Sequence, residues 1–257
     1  MKIRRTGRCY FCGKQTVSTE HAPPQLLFKG FPKCDSITVP SCDAHNSEKA
    51  DQAILYALLI TLDNWLQSGR KVTPDVQRAL DVARPSFPQV KRKAFSAPLF
   101  ADPPQHLTDI PNVAYIIPDA KLSVWMKQLT AAMVFDAVRS YDSEIDWHQA
   151  TFWSPDHFST ATPTPFTFED ARAIAMQKAE VSAKLTSLYW YTGWSSHPRP
   201  YPRSLYFFEV SFLAESDNVM FRHQFYGQFN CYVEFVASKP TRRRLEVKLQ
   251  AVAALKR

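Results

Sequence analysis

The side chains best equipped for chemistry crowd into the first fifty residues. Cys9-Tyr10-Phe11-Cys12 and Cys42-Asp43-Ala44-His45 offer two pairs of soft donors at C-x2-C and C-x2-H spacing. Each pair can grip one ion from a tight knuckle, and the two together make the donor set of a tetrahedral structural zinc site. The stretch between Cys12 and Cys42 is long enough for a β-hairpin. Inside it stands an acid-histidine dipeptide, Glu20-His21, followed by Ala22-Pro23-Pro24, and directly after the last zinc donor comes Asn46. Read alone, His21 is also a fifth candidate zinc ligand or a buried structural histidine. Asn46 is also a candidate helix N-cap. Cys34 fits no pair and reads as a small buried filler.

The arrangement Cys9-x2-Cys12, Glu20-His21-x-Pro23-Pro24, Cys42-x2-His45-Asn46 resembles the HNH, or ββα-metal, nuclease superfamily, in those members that open with a C-x2-C knuckle. The resemblance covers roughly residues 5 to 60. It implies that Cys9, Cys12, Cys42 and His45 hold a structural zinc, that His21 is the general base, and that Glu20 and Asn46 hold a catalytic Mg²⁺ or Mn²⁺. The chemistry is consistent with that division. Imidazole titrates near neutrality, as a base that activates water must. A carboxylate and an amide oxygen suit a hard divalent ion, whereas thiolates suit zinc, so both metals can coexist.

The chain departs from the family pattern in three places. Glu20 stands where aspartate is usual, and His45 stands where a second cysteine is usual. The middle asparagine that braces the base is missing, leaving Asp35 or Ser36 to do that work. Basic residues surround the first knuckle: Lys2, Arg4, Arg5, Arg8 and Lys14. Arg8 and Lys14, with Lys49 three residues after Asn46, are the candidate nucleic-acid contacts. The alternative for each is a solvated surface charge.

The 257 residues suffice for one large or two modest cores. Nineteen prolines against six glycines imply stiff, irregular connections. A formal charge of +7 suits a nucleic-acid partner. Five cysteines, four of them readable without disulfides, suit a reducing cytoplasm and a metal site. Met1-Lys-Ile-Arg-Arg5 carries no apolar leader segment, and no window is apolar enough to span a membrane.

Periodicity places the other elements. Ile54, Leu55, Leu58, Leu59, Leu62, Trp65 and Leu66 recur at helical spacing between Ser47 and Ser68, with Asp51, Gln52, Asp63, Asn64 and Gln67 opposite and Gly69 as the stop. Thr73 caps a short helix with Pro74 in its first turn. The proline-punctuated stretch 84–118, which contains Lys91-Arg92-Lys93, is the best domain boundary. Asp119 opens a helix to about Tyr141 that is apolar on most faces. Another helix is expected from Thr167 to about Leu188. Segments 204–213, 219–226 and 229–236 read as an aromatic-rich antiparallel meander with a hairpin turn at Gly227-Gln228. Its aromatics fill a core; the competing reading is a base-stacking face beside Arg222 and His223. His148, His157, His197 and His223 share no ligand spacing. The tail from Thr241 forms a helix with Arg242, Arg243, Arg244 and Lys248 at a basic end.

The sequence therefore predicts an α+β chain: an N-terminal zinc-bound ββα-metal unit, long helices, and a C-terminal meander. Residues 1–84 form the nuclease-like unit and 85–257 an α+β domain of unknown type. The resemblance implies a metal-dependent endonuclease acting on nucleic acid, DNA before RNA, in bacterial genome defence or a mobile element. A homodimer or regulatory partner would use residues 85–257. The alternatives are a decayed, zinc-containing nucleic-acid-binding protein and a zinc-stabilised interaction protein.

Overall fold

The computed structural model describes residues 7–32, 37–46, 48–67, 69–89, 119–153, 191–192, 202–213 and 216–254. Lys2, Arg4, Arg5, Cys34, Asp35, Ser36, the Lys91–Lys93 run, the helix expected at 167–188, His157 and His197 lie outside these residues. Mixed α+β architecture is present: four α-helices among the described residues and two antiparallel sheets.

The first sheet is a hairpin of β1 (Ser18–Ala22) and β2 (Ile37–Ser41), with Glu20 opposite Val39 and His21 opposite Thr38. Between its strands, a 3₁₀ turn at Gln25–Phe28 buries Leu27 and Phe28 against the next helix, as the apolar run after Pro24 leads one to expect. Gly30 turns there at φ +88°, and a Cβ would meet the Val82 side chain at 2.6 Å, so this loop sits directly on the second helix.

Helix α1 (Glu48–Gln67) follows the second knuckle, and α2 (Pro74–Ala83) follows α1. The α1 stop works as its sequence implies. Gly69 takes φ +88°, and the Gly69 and Arg70 amides donate to the Leu66 and Trp65 carbonyls at 3.0 and 3.1 Å. At α2, Thr73 Oγ1 accepts from the Val76 amide at 3.4 Å, with Pro74 at the start. One expectation for α1 is corrected. Asp63 does not face solvent; it is buried and paired with Arg84 at 2.8 Å. A buried carboxylate needs such a partner, and the arginine that supplies it lies beyond the reach of helical periodicity.

Helix α3 (Asp119–Val138) is the central rod. Leu122, Trp125, Met126, Leu129, Met133 and Val134 are all buried; Val124 is the exception and is exposed. It ends at Arg139, which takes a left-handed φ of +58°. Helix α4 (Lys239–Ala254) closes the chain and buries Leu245 and Leu249.

The second sheet has five strands in the order β3-β7-β6-β5-β4: β3 (Thr151–Trp153), β4 (Tyr191–Thr192), β5 (Tyr206–Phe212), β6 (Asn218–Phe225) and β7 (Phe229–Val236). The expected meander is thus its middle, extended by one short strand on each side. The β6–β7 turn differs by one residue from Gly227-Gln228. Tyr226 and Gly227 hold its central positions, both with positive φ, and the Gln228 amide donates to the Phe225 carbonyl at 3.1 Å.

Most of the sheet aromatics are core, while Phe207 and Phe212 are half-buried under Arg203, Arg222 and Arg242. Tyr206, Phe208, Phe221, Phe225, Phe229 and Phe235 are buried, and each contributes on the order of 1.5–3 kcal/mol by leaving water. Trp125 of α3 meets Phe225 at 5.3 Å, and Trp65 of α1 meets Phe229 at 5.2 Å. His223 is buried among them and neutral, its pKa pushed down to about 3 by burial. Thr130 Oγ1 donates to the Met126 carbonyl at 2.8 Å, so it accepts from His223 Nε2 at 2.9 Å, and Tyr206 Oη donates to Nδ1 at 2.8 Å. A single cluster of buried residues runs from Cys9 and Val39 in the hairpin through α1 and α3 to Leu249 in α4. No helix among the described residues is long and apolar enough to cross a membrane.

Candidate metal centre and hairpin site

The first knuckle is built by backbone geometry. The Cys9 amide donates to the Lys14 carbonyl at 2.8 Å and the Gly13 amide to the Cys9 carbonyl at 3.0 Å, with Gly13 at φ +69° to close the turn. The Tyr10 amide donates to the Pro40 carbonyl at 2.9 Å, tying this knuckle to β2. The second knuckle is a 3₁₀ turn, Asp43–His45, in which the His45 amide donates to the Cys42 carbonyl at 3.0 Å.

These turns bring Cys9, Cys12, Cys42 and His45 together, with ligand atoms all within 4.8 Å of one another. Cys12 Sγ lies 3.7 Å from Cys42 Sγ, while His45 Nδ1 lies 3.3 Å from Cys42 Sγ and 3.8 Å from Cys9 Sγ. Tetrahedral zinc with bonds of about 2.3 Å to sulfur and 2.0–2.1 Å to nitrogen requires S···S near 3.8 Å and S···N near 3.5 Å. The donor set and its spacing therefore fit a metal ion such as zinc, bound through the Nδ1 of His45.

The electrostatics fit as well. Burial pushes the Cys9 thiol up to about 11, so a cation is what would hold it as thiolate. Burial acts in the same direction on Cys42, but hydrogen bonds from Cys12, Cys9 and the His45 and Ala44 amides outweigh it and lower that thiol. His45 is held below the usual imidazole range by burial, then by the nearby charges of Lys14 and His148, which favours the neutral, coordinating form. Among the described residues this is the only group of three or more His, Cys, Asp or Glu placed to hold a metal.

Glu20 and Asn46 come onto one face of the hairpin. Asn46 Nδ2 donates to Ser18 Oγ at 3.1 Å, and strand alternation puts Ser18 and Glu20 on the same side, about 7 Å apart. Asn46 is exposed and Glu20 is half-buried. The Glu20 carboxylate accepts from Tyr10 Oη at 2.8 Å. His21 alternates to the other face of β1, opposite Thr38, so the hairpin does not place it beside Glu20 and Asn46.

Arg8 and Lys14 are exposed on the first knuckle, where Arg8 bridges Gln15. Lys49 falls in the first turn of α1.

Sequence reasoning passed over the residues that seat this unit on the body. The Phe11 ring lies 4.6 Å from His45 and 6.1 Å from Trp147, and Trp147 lies 4.8 Å from Phe235 of the sheet. A Cβ on Gly13 would meet the Tyr141 ring at 2.5 Å. The only hint was the pair of aromatics inside the knuckle, Tyr10 and Phe11. No protein-family model matches the chain, and no curated protein or solved structure matches it.

Proposed function

We propose that the chain is a metal-dependent nucleic-acid phosphodiesterase whose hairpin is braced by a Cys₃His zinc site. The observation that supports this reading is the Asn46–Ser18 hydrogen bond, which ties the Asn46 amide to the strand that carries Glu20, next to the Cys9-Cys12-Cys42-His45 cluster. A divalent ion held there would neutralise charge developing on phosphate oxygens. Glu20 and Asn46 would orient that ion. Tyr10, by donating to Glu20, would fix the direction of the carboxylate. His21 would take the proton from attacking water once substrate bends over the end of β1.

A second reading has its own support. Tyr10 occupies one oxygen of Glu20, and His21 lies on the opposite face, as suits a hairpin that binds nucleic acid without cutting it.

Nicking of supercoiled plasmid with added Mg²⁺ or Mn²⁺ separates the two. The hydrolase reading expects ion-dependent nicking that falls about 10²–10⁴-fold in His21→Ala and is lost in Glu20→Gln, with zinc content unchanged in both. Retained binding with no nicking by the wild type establishes the second reading.

A further inference from the structure

Helix α4 crosses the C-terminal end of α3, and an open groove of about 860 Å³ runs along their contact. Five cationic side chains line it, Arg139, Lys239, Arg243, Arg244 and Lys248, against one carboxylate, Asp136. That carboxylate is already engaged. It is buried and holds Arg139 Nη1 at 2.8 Å and Lys248 Nζ at 2.9 Å. Arg244 is exposed, with Nη1 donating to the Val138 carbonyl at 3.3 Å and to Ser140 Oγ at 3.2 Å, which fixes its direction. Among the described residues no carboxylate pairs with Lys239 or Arg243, and both are exposed.

So many like charges along one groove repel one another, and the field they make is focused where the groove is concave. Their spacing matters too. Lys239 to Lys248 covers about 14 Å of helix, longer than a single phosphate group, so the groove can meet phosphates in series. The end of the groove at Arg139 is close to the hairpin along the chain: Tyr141, two residues beyond it, lies against Gly13 of the first knuckle.

We propose that this groove holds the phosphodiester backbone of a nucleic-acid strand and carries it to the first knuckle. The choice of a nucleic acid over another polyanion rests on the hydrolase reading of the hairpin; the groove's affinity for phosphates in series does not. Arg243 and Lys239 supply uncommitted charge, and Arg244 a guanidinium of fixed direction.

The test uses the full chain, wild type and a Lys239→Glu, Arg243→Glu double variant. Fluorescence anisotropy follows binding to labelled single-stranded and duplex DNA oligonucleotides across a KCl series, in EDTA-free buffer without added Mg²⁺. The expected result is a linear fall of log affinity with log salt, a slope smaller by about two in the variant, and affinity at moderate salt reduced about tenfold or more. Zinc content and unfolding midpoint stay unchanged. A folded variant with wild-type slope and affinity overturns the proposal, as does a wild type that binds neither oligonucleotide at low salt. Displacement of DNA by inorganic phosphate well beyond chloride at equal ionic strength also overturns it, in favour of a small-anion site. Failure of the hydrolase reading looks different: steep, groove-dependent binding with no nicking leaves the groove standing.

Discussion

The molecule contains two antiparallel sheets that are held together in opposite ways. The hairpin β1–β2 has two five-residue strands, too little β structure to stand alone in water. Its order comes from outside the ladder: four metal-type donors gathered at its base, and Phe11 and Gly13 pressed against the body. The five-stranded sheet needs no such device. Its strands run up to eight residues and their aromatics bury one another. The hairpin still adds Ala22, Ile37 and Val39 to the common core, and it keeps Glu20 half-buried and Asn46 exposed.

The largest effect expected from that contrast is on metal removal. Structural zinc contributes on the order of 10 kcal/mol in small zinc modules. Chelation or Cys9→Ser should therefore abolish amide-exchange protection in 7–46 while β5–β7 stay protected. Protection of the hairpin after complete zinc loss would erase the distinction. The mirror experiment is Phe221→Ala in the sheet, expected to cost about 3–5 kcal/mol in chemical denaturation while the folded chain keeps its zinc. A fall in zinc content in parallel with stability would mean the two sheets are one cooperative unit.

A smaller effect separates them by pH. His223 is neutral in the fold, with its pKa depressed to about 3, whereas an unfolded histidine titrates near 6.5. The unfolded chain thus binds more protons between those values. Its contribution to stability is full above about pH 6.5 and is lost as pH falls towards 3, amounting to about 2 kcal/mol by pH 5. Denaturation at pH 7.5 and 5 should show this loss in the wild type and a flatter profile in His223→Leu. The smallest effect is at a helix end: Thr73→Ala removes the α2 cap and should cost about 1 kcal/mol in thermal or chemical unfolding, with both sheets intact.

Local signals carried much of this arrangement. Knuckle spacing alone identified the four gathered donors, and the stops at Gly69 and the cap at Thr73 were legible because each is settled by a few adjacent residues. The meander was legible from alternation. What escaped depended on long-range partners. Asp63 reads as a surface residue until Arg84 is folded back onto it. The Tyr10–Glu20 and Asn46–Ser18 bonds require the register of β1 on β2, which spacing does not set. The side of the strand on which His21 lies follows from that register too. The docking of Phe11 through Trp147 onto Phe235 joins residues more than two hundred positions apart, and nothing local marks it.

Helix α3 poses a question of orientation that apolarity cannot answer. It is greasy on nearly every side, so burial alone would accept it rolled about its axis or slid along the sheet by one residue, because the hydrophobic effect has no direction. The Thr130–His223–Tyr206 chain does have direction. A slide of about 1.5 Å or a roll of about 100° per residue would strand the His223 ring N–H in a dry interior. That relay acts as a key in its slot: it adds little attraction, but it lets one seating of the rod on the sheet turn and no other.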